Sequence, residues 1–201
     1  MIAGVILAGG RATRMGGGDK GLRRVGGRRL MDHALERLAP QVGTLAINAN
    51  GDPARLAEFG LPVLADSLPD HPGPLAGVLA GLDWAAGIGA QAIVTAAADT
   101  PFFPRDLAAR LVAAAGPSGL SLAASPDDTG RMQRHPTFGL WPVALRDDLR
   151  AALTGGLRKI VLWTDGHGAG TAAFASDPFD PFFNVNTPDD LAMAETLAGR
   201  A

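Results

Sequence analysis

The sequence predicts a single α/β domain of Rossmann-like, doubly wound type, with a mostly parallel sheet and an antiparallel edge. Three observations predict it. Short apolar runs alternate with longer segments of helical period, the pattern left by a parallel sheet and its crossover helices. A length of 201 residues suits one such domain and can bury roughly 70% of the surface its unfolded chain exposes. Finally, nine of the 27 glycines fall within the first 27 residues, eight of them behind the first apolar run.

Each element follows in order along the chain. Val5, Ile6 and Leu7 form the heart of a buried strand that ends at the glycines. Leu30, Met31, Ala34, Leu35 and Leu38 recur at helical spacing until Pro40 stops them. Residues 44–48 read as a second strand, 53–59 as a short helix and 62–65 as a third strand ending at Asp66. The proline-rich stretch 67–74 leads into a helix marked by Leu75, Val78, Leu79 and Leu82. Residues 92–97 form a fourth strand, followed by Asp99-Thr100-Pro101 and a helix expected over 104–115. Residues 120–125 and 137–141 read as strands joined by a polar stretch, which gives the antiparallel edge. Residues 144–153 should be helical, and 158–163 fit helix or strand equally. Thr187 is a good N-cap for the final helix, with Pro188 at its first position and Asp189 and Asp190 in its first turn.

Composition removes whole classes of chemistry. With no cysteine, the chain has no disulfide, thiolate zinc site or cysteine nucleophile, so any metal must sit on oxygen or imidazole. The hydrophobic fraction of 47% includes 37 alanines, so the large-side-chain core is closer to average than it looks. Eighteen basic against 20 acidic residues give a net charge of −2 and no electrostatic case for a nucleic-acid or anionic-membrane partner. No run approaches the roughly 18 apolar residues of a membrane helix. Residues 1–8 lack the basic start and the continuation of a signal peptide, so a cytoplasmic location is expected. Neither a ligand-like histidine spacing nor a G-x-S-x-G elbow occurs, which argues against a zinc enzyme or an α/β hydrolase.

The loop behind the first strand, 7–21, is the strongest functional signal. Glycines let successive backbone N–H groups approach one concavity and bind phosphate oxygens. Arg14 and Lys20 add positive charge there, which suits a polyphosphate. The loop is not a P-loop, because Gly21 follows Lys20 where a hydroxyl residue is required. Nor is it the dinucleotide fingerprint, because Asn48 rather than an acid ends the second strand.

Other candidates lie at the strand ends. Asp99 is an isolated carboxylate able to hold Mg²⁺ together with phosphate oxygens and water, or else a turn or cap residue for the next helix. Asn48 offers a base edge both a donor and an acceptor. Asp66 either joins that site or starts an Asx-turn. Asn184 and Asn186, two apart on an extended segment, face one side and either grip a polar ligand or satisfy the turn before Thr187. His135 reads as a surface residue or a contact to a second substrate.

Leu-Ala-Gly-Gly-x-x-x-Arg-Met-Gly-Gly-x-Asp-Lys, from Leu7 to Lys20, resembles the signature of the molybdenum cofactor guanylyltransferases of the nucleotidyltransferase superfamily. Further segments match in order: Asn48-Ala49-Asn50, Asp66-Ser67-Leu68, Pro72-Gly73-Pro74-Leu75-Ala76-Gly77, Asp99-Thr100-Pro101, His135-Pro136-Thr137 and Asn184-Val185-Asn186-Thr187-Pro188. Relatives using CTP usually carry alanine in place of Gly10 and Gln-Pro where this chain has Thr100-Pro101.

The resemblance implies a GTP site of Leu7, Ala8, Gly9, Gly10, Lys20, Asn48, Asp66, Gly77 and Asp99 in the N-terminal half, with Arg14, Lys20 and Asp99 catalytic. It implies a nucleotide-diphospho-sugar transferase-like fold and Mg²⁺ on Asp99. In the C-terminal half it implies an acceptor site for Mo-molybdopterin at His135, Asn184 and Asn186. The implied reaction joins GMP to the acceptor and releases pyrophosphate, and molybdoenzymes or their chaperones would receive the product. A cytidylyl or sugar-phosphate transferase of the same fold, or a non-catalytic cofactor-delivery module, are the other readings.

Overall fold

A computed structural model describes residues 1–9, 20–68, 73–157 and 159–199. Its main sheet has seven strands in the order β5-β4-β1-β6-β8-β7-β9. These are β1 (Ile2–Leu7), β4 (Leu45–Asn48), β5 (Val63–Leu64), β6 (Ala92–Ala97), β7 (Ser121–Pro126), β8 (Met132–Pro142) and β9 (Gly170–Ala173). β2 (Arg24–Val25) and β3 (Arg28–Arg29) form a separate hairpin. β5, β4, β1 and β6 run parallel, β8 lies antiparallel between β6 and β7, and β9 pairs parallel with β7.

After β1 the chain moves outward through β4 and β5, then returns to lay β6 on the other side of β1. That reversal opens a crevice at the carboxyl ends of β1 and β6, the place where doubly wound sheets bind ligands. Among the described residues the α-helices are α1 (Leu30–Leu38), α2 (Pro74–Gly87), α3 (Leu107–Ala113), α4 (Arg146–Thr154), α5 (Ile160–Gly166) and α6 (Pro188–Ala198).

Alternation along β1 distributes the core. Ile6 faces a layer holding Met31, Ala34 and Leu38 of α1 and Leu107 and Leu111 of α3. Val5 and Leu7 face the opposite layer, with Val78, Leu79 and Leu82 of α2, Leu149 of α4 and Trp163 of α5. A third cluster seats α6 on Val25, Leu30, Phe102 and Val185. α2 lies so close to the sheet that a Cβ at Gly81 would come 2.8 Å from Ile93 and 2.9 Å from Val5.

Several expectations need correction. The helix expected over 104–115 runs only over Leu107–Ala113, because residues 105–106 form a turn in which the Leu107 amide donates to the Pro104 carbonyl (3.3 Å). The short helix over Pro53–Phe59 is of 3₁₀ type, with Asp52 capping it through the Ala54 amide. Residues Ile160–Gly166 resolve the ambiguous stretch as helix. The antiparallel part is present, but the main sheet carries one strand more, β9, as its outermost, and β2 and β3 form a hairpin that was not among the expected elements. No helix among the described residues is long and apolar enough to cross a membrane.

Candidate functional site

The crevice is built first by backbone. The Ala8 amide donates to the Asn48 carbonyl (2.9 Å), and the Ala98 amide donates to the Leu7 carbonyl (3.0 Å). These bonds hold the turn after β1 level with the ends of β4 and β6. Gly9 follows at the rim, where a Cβ would lie 3.7 Å from Asn48 Oδ1. Gly10 and Arg14 lie outside the described residues.

On one side of the crevice, Asn48 is buried and its Nδ2 donates to the Leu64 carbonyl (3.0 Å) and to Asp66 Oδ1 (2.9 Å). Asn50 Nδ2 donates to Asp66 Oδ2 (2.7 Å), and the Asp66 amide donates to Asn50 Oδ1 (2.8 Å). Asp66 therefore gives its carboxylate to two asparagines and starts no Asx-turn. Gly77, in the second turn of α2, makes room for this arrangement. A Cβ there would stand 2.2 Å from Asn48 Oδ1 and 3.1 Å from Leu7 Cδ2.

On the other side, Asp99 follows β6 and its carbonyl accepts from the Val185 amide (2.8 Å). That bond draws the segment before α6 onto the sheet. Lys20 Nζ lies 3.6 Å from Asp99 Oδ2 and donates to Asn186 Oδ1 (2.6 Å). Burial pushes the Asp99 carboxyl above the ordinary aspartate value, against the pull of Lys20 and of hydrogen bonds from its own amide and Thr100. Since α3 starts at Leu107, Asp99 caps no helix. Among the described residues no group of three acids or histidines could enclose a metal. A partly desolvated single carboxylate still fits Mg²⁺, which commonly takes one or two carboxylates and completes its shell from phosphates and water.

Asn186 is itself fixed by the cap of α6. Its amide and that of Thr187 donate to Asp190 Oδ2 (2.9 and 2.8 Å), while the Asp190 amide donates to Thr187 Oγ1 (3.1 Å). Asn184 is exposed and Val185 between the two asparagines is fully buried, so the asparagines do share the outward side. Lys20 thus joins the glycine loop to the segment before α6 across 166 residues.

His135 lies in β8 at an irregularity. Leu122 of β7 pairs with Gly139 and Ala123 with His135, so residues 136–138 are extra on the β8 side. Such a bulge re-aims the neighbouring side chains. His135 is half-buried, stacks on Phe182 with ring centroids 4.4 Å apart, and places Nε2 2.6 Å from Ser125 Oγ. Ser125 Oγ donates to Asp180 Oδ1 (2.9 Å), which also accepts from the Phe182 amide (3.0 Å). Burial pushes His135 below the ordinary histidine value, against the opposite pull of Asp180.

The sequence reading missed Ser125, Asp180 and Phe182, which share no motif and meet only through folding. A separate cleft lined by Arg28, His33, Glu36, Arg37, Phe102, Arg105 and Ala198 contains none of the residues expected at the site.

Residues 4–167 match the family model described as the MobA-like NTP transferase domain. Among curated proteins, the molybdenum cofactor guanylyltransferase of Bradyrhizobium sp. is 52% identical over 202 aligned positions, covering 98% of this chain and 93% of that protein. The protein of the same name from Nitrobacter hamburgensis is 48% identical, covering 97% and 93%. Among solved structures, molybdopterin-guanine dinucleotide biosynthesis protein A from Archaeoglobus fulgidus superposes with a TM-score of 0.73 at 23% identity, covering 100% of both chains. The 4-diphosphocytidyl-2C-methyl-D-erythritol synthase from Anaerococcus prevotii gives a TM-score of 0.73 at 14% identity, covering 100% of this chain and 96% of that one. These two likenesses show the nucleotidyltransferase fold, and the full-length identities go further: the chain belongs to the family of molybdenum cofactor guanylyltransferases.

Proposed function

We propose that the protein transfers GMP from GTP to the terminal phosphate of molybdopterin, forming the guanine dinucleotide and releasing pyrophosphate. The observation that carries this reading is the convergence of Lys20, Asp99 and Asn186 beside the Asn48–Asp66–Asn50 group, at the carboxyl ends of β1, β4 and β6. The names of the full-length relatives supply the nucleotide and the acceptor.

In this reading, a phosphate oxygen of the acceptor attacks the α-phosphorus of GTP. The new P–O bond forms as the bond to the bridging oxygen of the β-phosphate breaks, and pyrophosphate leaves with those electrons. The attacking phosphate is already an anion at neutral pH, so no general base is needed. The work of the site is to position and neutralise charge. Lys20 would exchange Asn186 and Asp99 for phosphate oxygens when the triphosphate enters, with Arg14 assisting from the glycine loop. Asn48 and Asp66, held rigid by Asn50 and the Leu64 carbonyl, would take the nucleoside, with Gly10 and Gly77 allowing its close approach. Asp99 would hold Mg²⁺, which when bound neutralises charge on the transferring and departing phosphates. His135, Asn184 and Asn186, in the C-terminal half, would take the acceptor. A cytoplasmic location, and hand-over of the product to molybdoenzymes or their chaperones, belong to the same proposal.

Thermal unfolding with a nucleotide panel tests the base assignment. A ligand at 100 times its Kd stabilises by about 2.7 kcal/mol, so GTP should raise Tm clearly and CTP should not. Protection by CTP but not GTP would overturn the assignment.

A further inference from the structure

The contacts around Ser125 allow only one arrangement of protons. Its hydroxyl carries a single hydrogen and lies within hydrogen-bond distance of both Asp180 Oδ1 (2.9 Å) and His135 Nε2 (2.6 Å). Asp180 Oδ1 is an acceptor, and it also receives the Phe182 amide at 3.0 Å. If the serine hydrogen turned to Nε2, Oγ would face the carboxylate oxygen with no proton between them. Both contacts are satisfied only when the serine donates to Asp180 and His135 Nε2–H donates to Oγ. Neutral His135 then carries its lone pair on Nδ1.

The surroundings hold this arrangement in place. Ser125 is 2% exposed, so water does not compete for its hydroxyl. His135 sits opposite Ala123, two residues from Ser125 along β7, which puts both side chains on one face as diagonal neighbours. Phe182 covers the imidazole face. Among the described residues nothing pairs with Nδ1, and Nδ1 is not a closed-off buried atom. The segment carrying Asp180 and Phe182 runs directly on to Asn184 and to Asn186, which holds Lys20.

We propose that Ser125 and Asp180 are positioning residues that lock His135 as the Nε2–H tautomer, so that Nδ1 accepts a hydrogen bond from an N–H or O–H group of the acceptor substrate. This deepens the assignment of His135 to the acceptor side and rests on that reading. Asp180 acts through the serine and touches no substrate.

Two measurements on the full chain test it. Nitrogen-15 NMR of imidazole-labelled protein, with His135→Gln identifying the resonance, reads the tautomer without any activity. Wild type should show a protonated Nε2 and an unprotonated Nδ1, and a protonated Nδ1 at neutral pH overturns the proposal. Steady-state kinetics of guanylyl transfer then separates positioning from folding. Ser125→Ala and Asp180→Ala should raise KM for the molybdopterin acceptor roughly three- to tenfold, the worth of one hydrogen bond, with KM for GTP unchanged. Asp180→Asn keeps the Oδ1 that accepts from Ser125 and Phe182, so it should retain both the tautomer and an acceptor KM near wild type. Acceptor KM values within twofold of wild type in both alanine variants, or equal rises for acceptor and GTP, contradict the proposal. A wild-type protein that makes no dinucleotide would sink the functional reading, while the NMR result still decides the tautomer.

Discussion

Gly77→Ala should destabilise the protein although alanine is the better helix former. In an exposed helix interior the change would be worth about 1 kcal/mol in alanine's favour. Here the new methyl carbon would stand 2.2 Å from Asn48 Oδ1 and 2.9 Å from Asn48 Cγ, well inside contact distance. The carboxamide must leave or α2 must lift off the sheet. If Asn48 leaves, it loses its bonds to the Leu64 carbonyl and Asp66 Oδ1, in a position only 3% exposed. Buried polar groups left unpaired cost about 1–3 kcal/mol each. After subtracting the helix gain, a net loss of about 2–3 kcal/mol is expected. For a chain of this size that lowers Tm by about 4–12 °C. Because Asn48 and Asp66 are the proposed nucleoside contacts, the rise in Tm produced by GTP should shrink with it. Gly87→Ala in the same helix meets nothing within 4 Å and serves as the control, with Tm unchanged or slightly raised. Differential scanning fluorimetry with and without GTP reads both effects. A Gly77→Ala protein as stable as wild type, with full protection by GTP, would refute the close-approach argument.

The remaining predictions concern the cation side, the acceptor side and the cap of α6. Asp99→Asn should lower the rate of pyrophosphate release at least about 100-fold, the scale on which removal of one charge-stabilising group acts. Its Tm should stay within a few degrees of wild type, because burial already disfavours the charge of this carboxyl and Lys20 keeps its bond to Asn186. Chelation of divalent cations should abolish transfer and added Mg²⁺ should restore it; undiminished transfer after chelation refutes the metal role of Asp99. Because burial lowers the folded-state value of His135, the folded protein binds fewer protons there than the unfolded chain. Stability should therefore fall as pH drops below the ordinary histidine value and level off below the folded one. In urea melts the stability difference between wild type and His135→Gln should vary with pH over that window, and a difference flat with pH contradicts the assignment. Thr187→Ala removes the cap of α6 and should cost about 1 kcal/mol, seen as a Tm lower by about 2–4 °C.

Where the pattern was long or chemically distinctive, the elements could be read from the sequence. β6 was expected over 92–97 and occupies those residues, because Ile93 and Val94 are followed by small residues that end at an acid. The cap at Thr187 forms in full, because threonine, proline and aspartate at those spacings satisfy specific backbone groups. β9 escaped because Gly170-Thr171-Ala172-Ala173 has no apolar alternation. It forms because glycine permits close packing there; a Cβ at Gly170 would lie 1.7 Å from the Ala114 carbonyl. The β2–β3 hairpin does carry a local signal, since Gly26 and Gly27, at φ 57° and 76°, are the residues that a tight two-residue turn demands.

The site was legible to a similar extent. Lys20, Asn48, Asp66, Asp99 and Asn186 lie in motifs, and the fold brings them to one crevice. For Asp66 the local pattern leaves a place beside Asn48 and an Asx-turn equally open, and the pairing of β4 with β5 decides it by bonding the two side chains to each other. The role of Gly77 depends on the distance between α2 and β4, which no local pattern encodes. Ser125 and Asp180 are 55 residues apart and meet only through the β7–β8 pairing and the return of the chain before α6.

The most direct measurement incubates the purified protein with Mg²⁺, molybdopterin and either GTP or CTP, and quantifies the dinucleotide and pyrophosphate together. Guanylyl transfer as proposed yields molybdopterin guanine dinucleotide and pyrophosphate in equal amounts from GTP, and neither from CTP. Transfer from CTP, or no dinucleotide from GTP with an acceptor preparation active in a control enzyme, would contradict it.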